Sequence, residues 1–542
     1  MNYNFINKLL IKNDERIIPL NIFQTWHTLN LPLDMKQNVE LLKMQNTEFK
    51  HFLYDDAMCR EFIKNNFDEN VLYTFDKLSP GAYKADLWRY CILYIHGGIY
   101  LDIKYHCVNN FKLIKLTNKE YYVNDLPYCG VSGIYNALLA CKSNNVILHK
   151  CIYKIVELVK NNSYGRNALG VTGPHMMTEF IDIKQLVLSF NGNQIISTKP
   201  ILTIYNTYRK EQHKYALNKY YSNMWDEKNI YNYPTLKSRR EVNYARVIKK
   251  NISGKEVELY SGTPTIIEMN DSYLINIKWI NYRYNEDGSK KEIPKTWISI
   301  NSRFTVDMDF NKISDEIFLE EEYPLDWRPC IGLEDIRIFK YNDTYYYIAT
   351  YFDNKRNVTS VSSNIYEIMD TYKLKRNIIL PTMYDLNIKL VEKNWSFVKY
   401  KNELCVVYKW FPMQIGMIDY TTNLLNIIEQ MNAPEYFKEA RGSTCGYTTK
   451  NEIWFVLHKA QHSDKYQFNY QHFFAVFDLD MNLLRYSELF KFGDCKVEFC
   501  TGLIVKDDTV ILSYSLMDTQ SFVSEYTLDD INKIKWYKIE SE

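Results

Sequence analysis

The sequence has no long apolar run, no charge surplus and no paired cysteines, and each absence removes a class of protein. No window approaches about 18 uninterrupted apolar residues, the length a membrane-spanning helix needs. The N-terminal segment has no apolar core of the kind that marks a secretory leader. Lysine plus arginine number 66 against 65 aspartate plus glutamate, a formal net charge of +1. That balance removes the general electrostatic grip on which nucleic-acid binding rests. The 11 cysteines are scattered, odd in number and never spaced C-x-x-C. They read as reduced thiols of a cytoplasmic protein, not as a disulfide frame. His458 and His462 are spaced like a helical metal pair, but the segment reads as a strand and no third ligand is evident.

What is present is the composition of a folded globular protein, 46% hydrophobic and 24% charged. A chain of 542 residues is too long for one ordinary core and divides into domains. The 46 tyrosines, with frequent Asn, Ile and Lys, fit AT-rich coding. Residues 1–238 alternate short strands with helices. Strands are expected at 17–26, 99–105 and 122–123, and helices at 35–46, 55–66, 83–95 and 146–160. Such alternation predicts an α/β domain with a mostly parallel sheet.

Residues 239–542 read as all-β. Strand-length runs at 272–279, 344–350, 403–409, 452–458 and 509–514 each follow a polar turn. Before each turn lies a polar or small segment, at 261–264, 332–335, 393–395, 441–444 and 498–502. Five such units predict a five-bladed β-propeller whose polar segments converge on one funnel. An irregular β-sandwich with ordinary turns is the alternative.

The densest local signal is Ala85-Asp86-Leu87-Trp88-Arg89-Tyr90 followed by Gly97-Gly98-Ile99-Tyr100-Leu101-Asp102-Ile103-Lys104. Leu87, Cys91 and Tyr94 recur at helical spacing, with Trp88, Ile92 and Ile95 as a second stripe, so the helix is buried on two sides. Asp86 and Arg89, three apart, share a face. Gly97 and Gly98 suit a helix C-terminus. Alternation from 99 to 105 puts Asp102 and Lys104 on one side of a strand. These residues read either as a ligand site at a strand end or as a buried ion pair with a surface acid beside it.

The order of these blocks resembles the glycosyltransferases with a DXD-type sugar-binding region, including the yeast initiating α-1,6-mannosyltransferase family and, more distantly, the clostridial glucosylating toxins. The resemblance also rests on Asn21-Ile22-Phe23-Gln24-Thr25-Trp26-His27-Thr28, Tyr54-Asp55-Asp56, Asn136-Ala137-Leu138-Leu139-Ala140 and Thr172-Gly173-Pro174. It implies a GT-A fold, a GDP- or UDP-sugar donor, a glycan or glycoconjugate acceptor and retention of anomeric configuration. It places Gln24 and Trp26 by the base and ribose, with Thr25, Asn136, Thr172 and Gly173 in the donor-binding set. Asp86 and Arg89 would hold donor-sugar hydroxyls. Asp102 would contact ribose and a Mn²⁺ or Mg²⁺ ion that neutralises the leaving diphosphate. Lys104 departs from the pattern, since an ammonium stands where the last acid should be. It pairs with the diphosphate itself, or another residue completes a metal site, or the site is inactive.

The second half resembles, more loosely, the five-bladed propellers of β-mannoside phosphorylases and related hydrolases. The match is Gly332-Leu333-Glu334-Asp335-Ile336-Arg337-Ile338, which places Asp335 as proton donor. Funnel candidates are Glu334, Arg337, Lys393, Asn394, Arg441, His458, Glu498 and Asp518. The expected function is a transferase moving a hexose, with mannose favoured, coupled to a sugar-processing or sugar-binding propeller. A phosphorylase or glycosidase in the propeller, or a lectin-like protein with a relic transferase domain, are the rival readings.

Overall fold

The computed structural model describes residues 16–128, 130–215, 219–291, 293–319, 330–353, 358–367, 377–381, 391–462 and 467–539. The chain divides into two compact units, Met1–Asn232 and Tyr233–Glu542. The break falls ahead of residue 238 because Leu236 already packs in a core of the second unit and Thr235 bridges to Lys491.

The first unit runs β1 (Asn21–Thr25), α1 (Leu33–Gln45), β2 (Lys50–Tyr54), α2 (Asp56–Asn66), α3 (Glu69–Lys77), α4 (Gly81–His96), β3 (Gly98–Leu101), β4 (Tyr105–Cys107), β5 (Val123–Asn124), β6 (Leu138–Cys141) and α5 (Val146–Lys160). After these come α6 (Pro174–Met177), β7 (Leu188–Phe190), β8 (Gln194–Ile196), β9 (Pro200–Ile204) and α7 (Tyr208–Tyr215). One sheet has the order β2-β1-β3-β6, with β1 parallel to both neighbours and β6 antiparallel to β3. A second sheet has the order β4-β9-β8-β7-β5.

Helix α4 is covered on both apolar sides: Leu87, Trp88, Tyr90, Cys91, Ile92 and Leu93 are fully buried. It stops at Gly97, whose φ of 61° is costly for any residue with a Cβ. A Cβ there would also lie 2.6 Å from the Ser143 nitrogen. Helix α3 is not among the expected helices, although Val71, Phe75 and Leu78 are buried at helical spacing; Asp68 caps it, accepting from Asn70 N at 2.8 Å and Val71 N at 3.2 Å.

The strand expected over 99–105 is broken. β3 ends at Leu101, residues 102–104 turn, and Tyr105 opens β4 in the other sheet. The turn is tied from three places. Asn38 Nδ2 donates to Ile103 O at 3.0 Å and Tyr105 O at 3.1 Å. Asp102 N donates to Ala137 O at 2.8 Å, and Tyr205 N donates to Lys104 O at 3.1 Å. Alternation reads straight through such a turn because both flanking strands alternate.

The second unit is built almost wholly of strands. The five expected runs fall in Tyr273–Ile280, Thr344–Asp353, Glu403–Trp410, Ile453–His462 and Thr509–Leu516. Each pairs antiparallel with a strand that precedes it: Lys255–Glu268, Cys330–Tyr341, Ser396–Tyr400, Arg441–Gly442 and Glu498–Lys506. Turn residues between them, such as Asn342, Asp343, Lys401, Asn402 and Asp507, take positive φ. In three pairs the register slips inside the polar segment, between Ser261 and Pro264, Glu334 and Arg337, and Cys500 and Gly502. Such bulges re-aim side chains. The strands join into sheets of four, thirteen and six among the described residues, none closed on itself. No described helix in either unit is long and apolar enough to cross a membrane.

Candidate functional site

The first unit gathers its chemistry around Asp86. One face of α4 sets Arg89 Nη2 at 3.2 Å from Asp86 Oδ1. The segment before β6 brings Asn136, whose Nδ2 donates to Asp86 Oδ1 at 2.9 Å. The loop before α6 brings Thr172, whose hydroxyl donates to Asp86 Oδ2 at 2.7 Å. One turn along α4, Tyr90 accepts from Asn136 Nδ2 at 2.9 Å and donates to Thr172 O at 3.0 Å. Arg89 Nη1 donates to Asn136 O at 2.6 Å. Gly173 leaves room for the carboxylate, since a Cβ there would lie 3.0 Å from Asp86 Oδ2. Asn136, Thr172 and Gly173 thus orient Asp86.

Asp102 sits just beyond β3, beside this cluster. Its Oδ1 accepts from Tyr100 OH at 2.9 Å and lies 3.6 Å from Arg89 Nη2. Its Oδ2 accepts from Lys104 Nζ at 2.7 Å. The Lys104 ammonium also lies 5.5, 5.4 and 5.9 Å from the ring centres of Tyr105, Tyr135 and Tyr208, within cation–π range.

Burial and charge push the two aspartates apart. For Asp86, burial outweighs the Arg89 charge and the Thr172 hydrogen bond, and its pKa is raised. For Asp102, burial works against ionisation, but Lys104 and Arg89 outweigh it and hold the pKa below the ordinary range. Burial likewise opposes the charge on Lys104, and Asp102 overcomes it, raising the lysine's pKa.

A divalent cation at Asp102 does not fit this donor set. Each carboxylate oxygen of Asp102 already meets a donor, and Asp86 is satisfied by Asn136, Thr172 and Arg89. No group of three or more His, Cys, Asp or Glu side chains able to hold a metal occurs among the described residues. Tyr208, which opens α7, offers the cluster its ring and not a carboxylate. The His458–His462 pair lies on a strand, where residues four apart are about 13 Å distant. The His462 side chain is outside the described residues.

Of the base-side candidates, Gln24 is buried under the site. Its Oε1 lies 2.8 Å from His51 Nε2, and its Nε2 is 3.5 Å from Asp102 O. Thr25 ties β1 to β2 through a 2.9 Å bond to Tyr54 O. Trp26 packs on His27 with ring centres 4.8 Å apart, and its buried Nε1 has no acceptor among the described residues.

The second unit has a cavity of about 310 Å³ lined by Glu334, Asp335, Lys393, Asn394, Arg441, His458 and Asp518. Its core is a lysine that the sequence did not single out. Lys278 Nζ lies 2.8 Å from Asp335 Oδ1 and 3.1 Å from Asp518 Oδ1. Tyr282 OH donates to Asp518 Oδ2 at 3.0 Å, and Thr263 donates to Oδ1 at 3.1 Å. For Asp335, burial is outweighed by Lys278 and Arg337, so the carboxyl stays ionised. For Glu334, burial wins over Lys278 and the neighbouring acids add to it, so its pKa is raised. His458 is held neutral by burial and by nearby cationic and histidine neighbours.

Two funnel candidates do not line the cavity. Arg337 is buried, donating to Ser443 O, to Gly442 O at 3.2 Å and to Asn394 Oδ1 at 3.1 Å. It braces neighbouring strands. Glu498 is also buried, accepting from Phe492 N at 2.5 Å.

Comparison with known proteins bears on these sites. The family described as glycosyltransferase sugar-binding region containing DXD motif matches residues 32–123, which include Asp86, Arg89, Asp102 and Lys104. An uncharacterized glycosyltransferase of Acanthamoeba polyphaga mimivirus is 40% identical over 96 residues, covering 17% of this chain and 38% of that protein. The initiation-specific alpha-1,6-mannosyltransferase of Candida albicans is 27% identical over 97 residues, covering 17% of this chain and 25% of that one. The chain therefore spans well under half the length of these relatives. Among solved structures, the beta-1,2-mannobiose phosphorylase of Listeria innocua aligns at 13% identity with a TM-score of 0.34, covering 51% of this chain and 91% of that one. Residues 32–123 carry the sugar-binding region of the DXD glycosyltransferases, with mannosyltransferases among the proteins similar to it.

Proposed function

We propose that the first unit is a GT-A-type glycosyltransferase domain that moves a hexose, mannose by preference, from a nucleotide-sugar to a glycan or glycoconjugate acceptor with retention of configuration. The observation that carries this reading is Asp86. A buried carboxylate is oriented by Asn136, Thr172 and Arg89, three residues from separate parts of the chain, next to a second carboxylate at a strand end. Convergent polar groups at the carboxyl end of a sheet are what a sugar-nucleotide needs: fixed acceptors for its hydroxyls and cations for its phosphates. The mannosyltransferase among the similar proteins supports the mannosyl choice. The test is release of nucleotide from GDP-mannose, UDP-glucose and UDP-N-acetylglucosamine by the full chain. Activity with one of them that Asp86→Asn and Asp102→Ala abolish supports the reading. Undiminished activity in both variants refutes it.

A second reading concerns the second unit, taken as a five-bladed propeller coupled to the transferase. Its cavity sets an acid of raised pKa, Glu334, among Lys393, Arg441 and His458. That pairing suits glycoside cleavage by phosphate or water, with Glu334 as the proton donor, because Asp335 is held ionised by Lys278. Phosphate-dependent cleavage of manno-oligosaccharides lost in Glu334→Gln supports it. If the protein instead binds such glycans without cleaving them, the cavity is a lectin-like site.

A further inference from the structure

Lys104 lies in the motif where a metal-binding acid is expected, and the residues around it decide what it does there. We infer that the first unit binds and activates the diphosphate of its donor without a divalent cation, with the Lys104 ammonium standing in the cation's place. This inference rests on the donor-site reading above.

The first argument is charge balance. Asp86 and Asp102 carry the two acids of the cluster, and Arg89 and Lys104 its two bases, all linked by contacts of 3.6 Å or less. A cluster that sums to zero has no pull on a dication, whereas a surplus of carboxylates is what draws one in. Both oxygens of Asp102 are also occupied, so an entering ion would first have to displace Lys104 or Tyr100.

The second argument is donor capacity. An ammonium has three N–H groups. Lys104 spends one on Asp102 Oδ2 and makes no other hydrogen bond to a described residue. Its side chain is 12% exposed and that of Asp102 is 21% exposed, so the pair is enclosed but reachable. Two donors remain for an anion arriving from solvent.

The third argument is rigidity. Three tyrosine rings surround the ammonium, and Tyr205 N holds the Lys104 carbonyl. A cation fixed before the reaction stabilises charge that develops during it without reorganisation. As the bond between the sugar's anomeric carbon and the diphosphate oxygen breaks, its electron pair leaves on that oxygen. Lys104 stabilises the new charge by hydrogen bonding and keeps its own protons, while the acceptor's hydroxyl oxygen bonds the anomeric carbon and its proton passes to the released diphosphate.

The test is calorimetric titration of the full chain with GDP and, separately, UDP, in excess EDTA and again with Mn²⁺. The expected result is binding of one nucleotide with affinities within about threefold of each other in the two buffers. Lys104→Met is expected to weaken it about 10- to 100-fold, the worth of a charge-assisted hydrogen bond. Lys104→Asp, which supplies the missing acid, is expected to bind only when Mn²⁺ is present and to diminish the free Mn²⁺ resonance signal. Wild-type binding that appears only with Mn²⁺ overturns the inference and leaves the donor site standing. Absence of binding in both buffers overturns the donor-site reading, and this inference with it. The wild-type comparison needs no variant, so a misfolded Lys104→Met cannot mask the answer.

Discussion

Replacing Glu498 by glutamine tests whether that carboxyl is a buried structural acid and not part of the cavity. Glu498 opens the strand Glu498–Lys506 with its side chain covered, one oxygen accepting from Phe492 N and the other buried without a partner among the described residues. Burial pushes its pKa from 4.5 up to about 8, against the opposing pull of the Phe492 N–H and Lys491. The folded value lies above the unfolded one, so the folded chain keeps a proton that the unfolded chain releases. The resulting stability is fully present below about pH 4.5 and falls by about 1.4 kcal/mol per pH unit as pH rises. It is lost by about pH 8, a total of about 5 kcal/mol over the window. Glutamine is neutral throughout and lacks this slope. Urea unfolding of the wild type and Glu498→Gln at about pH 5 and about pH 8 reads it directly. His472 and Lys459 also titrate away from their usual ranges, but they do so in both proteins and cancel in the difference. The expected outcome is that the variant gains stability relative to wild type as pH rises. A difference that stays constant between the two pH values refutes the reasoning.

Three further outcomes follow from the geometry. Gly173→Ala puts a methyl group 3.0 Å from Asp86 Oδ2, which moves the carboxylate off Thr172; nucleotide-sugar affinity falls about tenfold with little change in unfolding midpoint, read by titration and denaturant melts. Asn38→Ala strips the amide from Ile103 O and Tyr105 O, costs about 1–3 kcal/mol in urea unfolding and loosens the turn that carries Lys104, weakening nucleotide binding as well. Lys278→Met leaves Asp335 and Asp518 as uncompensated neighbours and costs about 3–5 kcal/mol, much of which Asp518→Asn in the same chain restores.

The parts legible in the sequence are those fixed by local pattern. The two apolar stripes of α4, its glycine stop and the five strand runs of the second unit all stand where short-range spacing puts them. So does the Asp86–Arg89 pair, because three residues along a helix always share a face. The missed features depend on residues far apart or on a break in period. Lys278 lies in a strand buried throughout, among Tyr273, Leu274, Ile275 and Ile277, where a lone lysine looks like an outward-facing edge charge. It is tolerated inside only because Asp335 and Asp518 arrive from 57 and 240 residues away.

The Glu334-Asp335-Ile336-Arg337 segment shows how a period break changes roles. In a regular strand Glu334 and Ile336 would face one side, Asp335 and Arg337 the other. The register slips between Glu334 and Arg337, and Asp335 takes a φ of 53°. Both acids then line the cavity, while Arg337 turns to the carbonyls of Gly442 and Ser443. The turn at 102–104 acts in the same way on a smaller scale. In a strand, Asp102 and Lys104 would stand side by side on one face, about 6.6 Å apart along the chain. The turn brings the ammonium to 2.7 Å from the carboxylate, close enough to neutralise it. Deleting the turn's ties, not the lysine, therefore separates the two roles of this residue. Asn38→Ala keeps the lysine and its charge but frees its turn, so a loss of nucleotide affinity in this variant means that position, beyond charge, is what the site requires.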